Sequence, residues 1–564
     1  MRRRSAVKPA RSAFRCDNRC AETCAKQSTL SPPVFDYIIV GAGSAGCLLA
    51  NRLSAAGHQV LLLEAGRSDR NFWIHLPVGY FRTMVDPRFT RNFDTEPSEG
   101  SGGRNVVWPR GRVLGGSSSV NGLIYIRGQH EDYADWVGAG AQGWDYESVL
   151  PYFKRSENYA GGEGKYHGAS GELGVSDLQN DHPYCEAWLQ AGQQYGLPPN
   201  PDFNGATDYG VGAYQLSMKD GWRSSAARCF LRPAQKRPNL TISMHSHVTR
   251  VLFEGTTAVG VEWVEGGVVN QARAEREVIL AAGALQSPQL LQLSGIGPPA
   301  LLKQHGVPVL ADAPEVGENL QDHYQARVIV RLKKKVSLND QVRNPVELAK
   351  MGLQWLLHNR GPLTVGAGQV GGIARTPHAR DTRADIQFNV MPLSVDKPGD
   401  PLHDYSGFSA SACQCRPDSR GRITIRSTDP FDQPRIEPHY FSAPHDRKVI
   451  VAGLEMLREI YRQPAFRELW DAETLPGPDR LNGSDLWEFA RTRGGTVFHP
   501  TSTCRMGGDA RSVVDPELRV RGVERLRVID ASVMPSVTSA NTNAATIMIA
   551  EKGAELVLRV SGSA

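Results

Sequence analysis

Residues 497–506 bring together side chains that could do chemistry. The segment reads Val-Phe-His-Pro-Thr-Ser-Thr-Cys-Arg-Met and contains an imidazole, three hydroxyl groups and a thiol. His499 could be a metal ligand, the partner of a nucleophile, a proton acceptor or a packed histidine without chemistry. Metal binding lacks further ligands at a useful spacing, since Cys504 is the one nearby candidate, and hydrolase chemistry lacks a G-x-S-x-G elbow. Each interpretation needs partners from elsewhere in the chain.

A glycine-rich turn near the start of the chain is a second candidate for chemistry. Gly41, Gly43 and Gly46 form G-x-G-x-x-G between an apolar stretch that predicts a strand and a stretch that predicts a helix. The first glycine turns the chain, the second lets a pyrophosphate approach the backbone, and the third lets the helix pack on the strand. The phosphates are expected at the helix N-terminus, where free N–H groups favour an anion.

Glu64 supports this interpretation. It ends a second apolar stretch, residues 59–64, and lies 21 residues after Gly43. A carboxylate at this place can bind both ribose hydroxyls of an adenosine and disfavours a 2′-phosphate. The two features predict a dinucleotide-binding fold and leave NAD and FAD open.

Composition excludes several classes of protein. The 564 residues are too many for one core, and no run of 18 apolar residues predicts a transmembrane helix. The positive charge behind the net value of +5 is concentrated in residues 1–34, which contain eight Arg and Lys residues and only two acidic residues. The rest of the chain is therefore near −1, which does not support a nucleic-acid partner. We interpret residues 1–34 as a basic disordered tail, and the nine scattered cysteines as typical of a reducing, cytoplasmic setting.

Two further glycine-rich segments narrow the choice of dinucleotide. Residues 111–128 place two adjacent glycines before three serines, so that N–H and hydroxyl donors are free for a phosphate and for the polar edge of a flavin. Residues 278–297 predict a strand that ends in small residues, then a helix and a glycine turn. These segments favour FAD.

In these segments the chain resembles the glucose–methanol–choline (GMC) oxidoreductases, which are FAD-dependent alcohol dehydrogenases and oxidases. Residues 111–128 and 283–297 are similar to the two signatures of that family, and residues 41–46 with Glu64 are similar to its adenosine site. The resemblance covers residues 35–558 and is strongest to bacterial choline dehydrogenases and related alcohol dehydrogenases.

The resemblance implies an α/β fold. A Rossmann-like FAD-binding domain is expected to interleave with an α+β substrate domain whose antiparallel sheet roofs the flavin. We expect residues 35–310 to form mainly the first domain, with inserted segments, and residues 311–496 mainly the second. Residues 384–390 and 421–426 alternate as half-buried strands do and are expected in the roof. Residues 497–564 then return to the FAD domain with the catalytic residues.

The same resemblance supplies a partner for His499. In the family, a His or Asn at the start of a C-terminal helix pairs with the histidine of the His-Pro motif. His499 matches the first position, and we assign Asn543 to the second, with a helix expected from residue 544. A neutral imidazole can accept the hydroxyl proton of an alcohol while a hydride moves to flavin N5. This pair implies oxidation of a primary alcohol to an aldehyde.

The resemblance also implies a set of cofactor-binding residues, and no metal ligands. They are Gly41, Gly43, Ser44, Ala45, Gly46, Glu64, Ala65, Arg112, Val113, Gly116, Ser117, Asn121, Gly122, Leu123, Ile124, Val248, Ala282, Gly283, Asp530, Ala531, Asn541 and Thr542.

Several points stay open at this stage. A lyase or a light-driven fatty-acid decarboxylase of the same family is the alternative function, and the thiols of Cys413 and Cys415 could serve it. The residues name neither the small-molecule alcohol nor the electron acceptor, which could be oxygen, a quinone or another compound. The location is expected to be cytoplasmic, with peripheral attachment to the inner membrane as a variant.

Val120 leads to a test of how the cofactor is held. Some family members attach the flavin covalently through a histidine just before the Asn of the first signature, and here Val120 precedes Asn121. An aliphatic side chain cannot form that bond, so we expect a dissociable FAD. After denaturation and ultrafiltration, the flavin should pass into the filtrate. Flavin absorbance that stays with the precipitated polypeptide would contradict this expectation.

Overall fold

The computed structural model describes residues 32–397, 399–480 and 482–561. The predicted basic tail therefore lies outside the described residues as far as residue 31. The first strand, Val34–Val40, already includes the last residue assigned to that tail.

The first of two large sheets, the nucleotide sheet, carries the glycine turn. Its strands are, in spatial order, Leu240–Met244, Val60–Glu64, Val34–Val40, Val268–Leu280, Thr257–Glu265 and His247–Glu254, with Leu526–Val528 also paired to Val268–Leu280. The first four and the last pair in parallel, and the other two form antiparallel pairs. Parallel strands whose carboxyl ends meet at one edge create the place where α/β folds bind ligands.

The predicted turn between strand and helix is present. Gly41 has a φ of +101°, which a residue with a side chain rarely adopts, and helix Ser44–Ala55 follows. A Cβ atom on Gly46 would lie 1.8 Å from the carbonyl oxygen of Gly41. Only glycine therefore allows this helix to pack so close to the turn, and the predicted Rossmann-like arrangement is confirmed.

The second large sheet is the roof sheet. Its strands are, in spatial order, Trp470–Leu475, Tyr324–Leu332, Gly407–Gln414, Ile386–Met391, Val370–Ala374 and Gly210–Ala213, with Gly495–Thr496 also paired to Tyr324–Leu332. Every pairing is antiparallel, as predicted for the substrate domain. Strand Gly210–Ala213 comes from before residue 310, and the domain boundaries proposed from the sequence stay a prediction.

One predicted roof strand is in a different place. Residues 386–391 do lie in the roof, but Arg422–Thr424 pairs with Arg435–Glu437 in a separate two-stranded sheet. The alternation of residues 421–426 correctly indicated a strand. It could not indicate the partner, because side-chain periodicity reports one buried face and says nothing about the neighbouring strand.

Helices cover both sheets. The C-terminal helix Thr542–Ser561 packs against Ser44–Ala55 and Tyr146–Ser156 beside the nucleotide sheet, and Pro444–Tyr461 packs on the back of the roof sheet. The other α-helices are Phe72–His75, Tyr80–Thr83, His130–Gly138, Pro183–Gln194, Arg232–Ala234, Gly283–Leu293, Pro299–Gln304, Leu338–Gln341, Pro345–His358, Pro464–Arg467 and Gly483–Arg493.

Shorter elements complete the described chain. Two-residue and longer strands outside the large sheets are Thr90–Asp94, Val107–Gly111, Glu157–Tyr159, Leu173–Val175, Met218–Lys219, Trp222–Arg223, Ile296–Gly297 and Ala311–Asp312. Single helical turns of other types are Pro77–Gly79, Glu99–Ser101, Gly116–Ser119, Ala227–Leu231, Pro362–Thr364 and Ala531–Val533. Within the described residues, no helix is both long and apolar enough to cross a membrane.

Candidate active site

A large cavity lies where the carboxyl ends of the parallel strands face the roof sheet. Its floor includes the glycine turn at residues 41–45, residues 281–285 and residues 530–531. Residues 541–543, at the start of the C-terminal helix, and residues 497–500 close one wall. Roof strand Tyr324–Leu332 supplies Gln325 and Arg327 on the opposite side.

The cavity collects nearly all the residues that the sequence singled out. His499, Asn543 and every predicted cofactor-binding residue except Gly46 and Val113 line it. Gly46 packs against Gly41, behind the cavity, and Val113 is fully buried in an apolar cluster with Ile74 and Phe89. Both of these residues shape the cavity wall from outside.

The glycine turn fits a pyrophosphate. Helix Ser44–Ala55 starts at Gly43 without a side-chain cap, so the N–H groups of its first turn are free to bind an anion. A Cβ atom on Gly43 would meet only the Ala281 carbonyl oxygen, at 4.0 Å, so the backbone is open to the cavity there. The free donors and the bare backbone are what a dinucleotide requires at this turn.

Glu64 fits the adenosine end. One carboxylate oxygen accepts a hydrogen bond from the Ala42 N–H at 3.0 Å, and the other accepts from the Gly66 N–H at 2.8 Å. Burial raises the pKa of Glu64 to about 7, although both backbone bonds favour the charged form. Each oxygen keeps a lone pair that can accept from a ribose hydroxyl, so the carboxylate is held in place but not saturated.

His499 lies in a line of hydrogen bonds between the roof sheet and the C-terminal helix. Its Nδ1 is 2.9 Å from Nδ1 of His323, and its Nε2 is 3.1 Å from Nδ2 of Asn541. Nε2 of His323 in turn lies 2.7 Å from the carbonyl oxygen of Cys415.

This line fixes which nitrogen of His499 carries the proton. A carbonyl oxygen can only accept, so Nε2 of His323 must donate to Cys415. Burial lowers the pKa of His323 to about 4, so the ring is neutral near pH 7 and its Nδ1 is an acceptor. Nδ1 of His499 must then be the donor of the shared hydrogen bond. Nε2 of His499 is left unprotonated, and its lone pair accepts from the Asn541 amide.

The backbone around His499 is held by charged groups. The His499 N–H donates to the Asp322 carboxylate at 2.8 Å, and the Tyr440 hydroxyl donates to the other oxygen of that carboxylate. Arg110 donates to the Phe498 carbonyl oxygen at 2.7 Å, and Phe498 has a φ of +68°. Strained backbone of this kind persists only where several contacts hold it, and here they aim the imidazole into the cavity.

The electrostatics keep His499 neutral. Burial lowers its pKa well below 6.5, and the neighbouring His323 and the Arg110 guanidinium lower it further. A neutral imidazole with an unprotonated Nε2 is the form that can accept a proton.

The assignment of Asn543 as the partner of His499 is wrong. The Asn543 side chain accepts a hydrogen bond from the Ser44 hydroxyl at 2.7 Å, whereas Asn541 contacts His499. The C-terminal helix begins at Thr542, two residues earlier than predicted, which leaves Asn541 just before its first turn. Two residues at a helix start differ in direction by about 200°, so only one of the two asparagines can point at His499.

Sequence reasoning also missed His323, Asp322 and Arg110. None of them belongs to a sequence motif that was recognised. Asp322 and His323 are neighbours in the chain, just before a roof strand. Only the packing of that strand against residues 497–500 brings them to His499. The thiols of Cys413 and Cys415 are buried, and burial raises the pKa of both, so they are neutral. No cluster of potential metal ligands is found among the described residues.

Comparison with known proteins identifies the family. Two family models, both described as GMC oxidoreductase, match residues 35–325 and residues 417–550. The chain belongs to the GMC oxidoreductases. It is 42% identical to a Pseudomonas putida protein named alcohol dehydrogenase (acceptor), over 93% of this chain and 96% of that protein. It is 40% identical to the Homo sapiens protein named choline dehydrogenase, mitochondrial, over 95% and 92% of the two chains.

Solved structures agree with this assignment. The pyridoxine 4-oxidase from Mesorbium loti is similar, with a TM-score of 0.83 and 31% identity over 92% of this chain and 98% of that one. As a GMC oxidoreductase, this chain uses FAD, and the predicted family and cofactor are confirmed.

The low pKa of His499 predicts a pH profile. If Nε2 must be unprotonated, kcat/KM for alcohol-driven flavin reduction should fall only as the pH drops well below 6.5, because a lowered pKa keeps the neutral form to lower pH. Arg110→Gln should move this acid limb upward, since it removes a positive charge that disfavours the imidazolium while keeping a donor for the Phe498 carbonyl oxygen. The exposed His378 offers a control, and His378→Asn should leave the limb in place. An acid limb at or above pH 6.5 in the parent protein would contradict the assignment.

Proposed function

We propose that this GMC oxidoreductase oxidises a primary alcohol to an aldehyde, with His499 as the acceptor of the hydroxyl proton. The observation that carries the proposal is the unprotonated Nε2 of His499, which faces the cavity 3.1 Å from the Asn541 amide. An alcohol hydroxyl that displaces this hydrogen bond can donate to Nε2 and accept from the amide at the same time.

Bound FAD supplies the acceptor for the hydride that leaves the alcohol carbon. The chain supplies the proton acceptor and the geometry. As Nε2 takes the proton, His499 becomes positively charged, and its Nδ1–H stays bonded to His323. Because His323 is itself fixed on the Cys415 carbonyl oxygen, the ring of His499 cannot rotate away while the proton moves.

We assign Asn541 to hold the substrate oxygen. A neutral amide can donate to that oxygen without competing for its proton, and Oδ1 of Asn541 is buried with no partner among the described residues. Asn543 has a different role, because its contact with Ser44 ties the start of the C-terminal helix to the glycine turn. The other predicted cavity residues are proposed to bind FAD, from Glu64 at the adenosine end to Asp530 and Ala531 near the C-terminal helix.

The alternative function, a lyase or photodecarboxylase, is not favoured. The thiols of Cys413 and Cys415 are neutral and buried, so they offer no nucleophile to the cavity. The similar proteins include ones named alcohol dehydrogenase and choline dehydrogenase. We propose a small-molecule alcohol as the substrate. Oxygen, a quinone or another compound would then accept the electrons from the reduced flavin.

We further propose a cytoplasmic location with peripheral attachment to the inner membrane. All six described cysteines are free, as is usual in a reducing compartment. Helix Pro345–His358 is exposed over most of its surface, with Val346, Leu353, Leu356 and Leu357 between 56% and 70% exposed. The helix contacts the rest of the chain from its other side, through Met351 and Trp355. Its exposed apolar face, on which Lys350 lies between Val346 and Leu357, is suited to lie in the headgroup region of a bilayer, where the long lysine side chain can keep its charge in water.

The role of His499 can be tested by substitution. His499→Ala should fold and keep its FAD, because the adenosine and phosphate contacts lie at residues 41–64 and 111–122. Alcohol-driven flavin reduction should slow by about 10²–10⁴-fold, the usual contribution of a positioned acid–base group. Asn541→Ala should slow it less, since a lost neutral hydrogen bond costs about 1–3 kcal/mol. Anaerobic rapid mixing measures this step directly.

Matched controls separate the chemistry from folding. His378→Ala removes an exposed histidine, and Asn543→Ala removes the amide that faces away from His499. His378→Ala should match the parent, and Asn543→Ala should lose less than Asn541→Ala. Flavin reduction in His499→Ala at the parental rate would refute the role assigned to this residue.

The exposed helix makes membrane binding testable by co-sedimentation with vesicles. The double variant Leu356→Ser and Leu357→Ser should lose binding to vesicles that contain anionic lipid, because two buried leucines are each worth about 1.5–3 kcal/mol. Val268 and Val269 form another exposed apolar pair, 53% and 55% exposed, and their replacement by Ser should leave binding unchanged. No vesicle binding by the parent protein would contradict the proposed location.

A further inference from the structure

The cavity side of the roof sheet carries a cation that the proposed chemistry does not use. Strand Tyr324–Leu332 alternates, so that Tyr324, Ala326 and Val328 are buried in the roof core while Gln325 and Arg327 line the cavity. Arg327 therefore lies on the wall that faces the substrate, beyond the residues that contact His499.

Arg327 has polar neighbours across the sheet. It lies opposite Ser411, which lies opposite Asn389 on the next strand, and both of these residues also line the cavity. Gln387 lines the cavity one row closer to His323. Nε2 of Gln387 and Oδ1 of Asn389 are buried without a hydrogen-bond partner among the described residues. Buried polar atoms without partners indicate that a ligand completes this surface.

No carboxylate of the described chain neutralises Arg327. Ion pairs within 4.0 Å occur throughout the described residues, and none includes Arg327. The two acidic residues of the cavity are occupied, because Glu64 accepts from two backbone N–H groups and Asp530 accepts from Gly283, Ser287 and Ser532. Burial lowers the pKa of Arg327, and an unpaired cation in such surroundings costs free energy that an anionic ligand would recover.

The walls around Arg327 are apolar. Tyr80, Phe81, Met84, Met391 and Val395 line the cavity as well. Tyr80 stacks on Phe81 with ring centroids 4.2 Å apart, and its hydroxyl group is bonded to the Gly366 carbonyl oxygen. A ligand that reaches Arg327 from His499 therefore passes between this apolar wall and the amides of Gln325 and Gln387 on the roof sheet.

The spacing of residues along the roof strand gives an approximate length for that ligand. Arg327 follows His323 by four residues, and a strand advances about 3.3 Å per residue, so the two Cα atoms are about 13 Å apart. The ring of His323 contacts His499, whose Nε2 marks the position of the alcohol. The distance suits a chain of several carbons or an aromatic ring between two polar ends.

We propose that Arg327 is an anion subsite, which binds the carboxylate of a substrate whose alcohol group lies at His499, so that the preferred substrates are hydroxy acids with an apolar segment between the two groups. This inference rests on the proposed alcohol oxidation and names its substrate class. Arg327 offers a forked set of donors that matches a carboxylate, and Ser411 and Asn389 extend the polar surface around it. A quaternary ammonium alcohol such as choline is too short to reach Arg327 and would add a second positive charge to the same cavity, so it is disfavoured.

The test compares acids with their neutral esters. The probes are an ω-hydroxyalkanoate series and para-hydroxymethylbenzoate, each beside its methyl ester, with choline as the cationic alcohol. The holoenzyme should show a kcat/KM at least about 10-fold higher for the acid than for the ester, mainly through KM. Arg327→Met should lower this ratio by about 10- to 100-fold, the range expected for a lost charge-assisted hydrogen bond. Arg327→Lys should restore part of it.

Arg331→Met is the matched control. Arg331 lies on the same strand, is exposed and pairs with Asp471, so its replacement should leave the acid-to-ester ratio unchanged. A parent enzyme with no preference for the acid, or one that prefers choline, would overturn the proposal. So would an Arg327→Met variant that loses acid and ester turnover equally.

A binding measurement separates this subsite from the proposed function. Octanoate has a carboxylate and an apolar chain but no alcohol, and calorimetry can follow its binding to the holoenzyme. Binding that is lost in Arg327→Met and kept in Arg331→Met supports the subsite even if no alcohol reduces the flavin. Flavin reduction by neutral alcohols without octanoate binding would leave the proposed function intact and overturn the anion subsite.

Discussion

The hydrogen bond between the two imidazoles of His323 and His499 is the constraint on which the site depends. It joins the beginning of a roof strand to the C-terminal part of the chain, and both rings are neutral because burial disfavours their charged forms. A single carbonyl oxygen, that of Cys415, sets the direction of the whole line. The proton acceptor is thus defined by a backbone group of the roof sheet, which does not touch the substrate.

The fold holds two surfaces, one on each large sheet, against each other. The nucleotide sheet presents free N–H groups and a fixed carboxylate at its edge, as a dinucleotide requires, while the roof sheet presents side chains that alternate between its own core and the cavity. The start of helix Thr542–Ser561 reaches the cavity between them, with Asn543 tied to Ser44 and Asn541 directed at His499. The start of this helix therefore contributes residues to both the cofactor site and the substrate site.

Charge in the cavity is distributed unevenly. The acidic residues lie on the nucleotide side and are satisfied by hydrogen bonds, whereas Arg327 stands on the roof side without a counter-ion in the described chain. In an enclosed space the sign of an uncompensated charge weighs heavily, because the surrounding dielectric screens it little. We expect the cavity-facing side chains of the roof sheet to select the alcohol.

The sequence by itself determined the nucleotide sheet, the glycine turn, Glu64, the family and His499, because these depend on short-range patterns: strand periodicity, required glycines and a motif around one histidine. Tertiary structure decided which strands pair and which side chains meet when the residues are far apart in the chain. Residues 421–426 formed a strand, but in another sheet, and Asn541 replaced Asn543 because the helix began two residues earlier than the pattern indicated. His323 and Arg327 carry no local signal, since a polar residue in or beside a strand is equally compatible with solvent. Only the packing of the roof against residues 497–500 turns them toward the cavity.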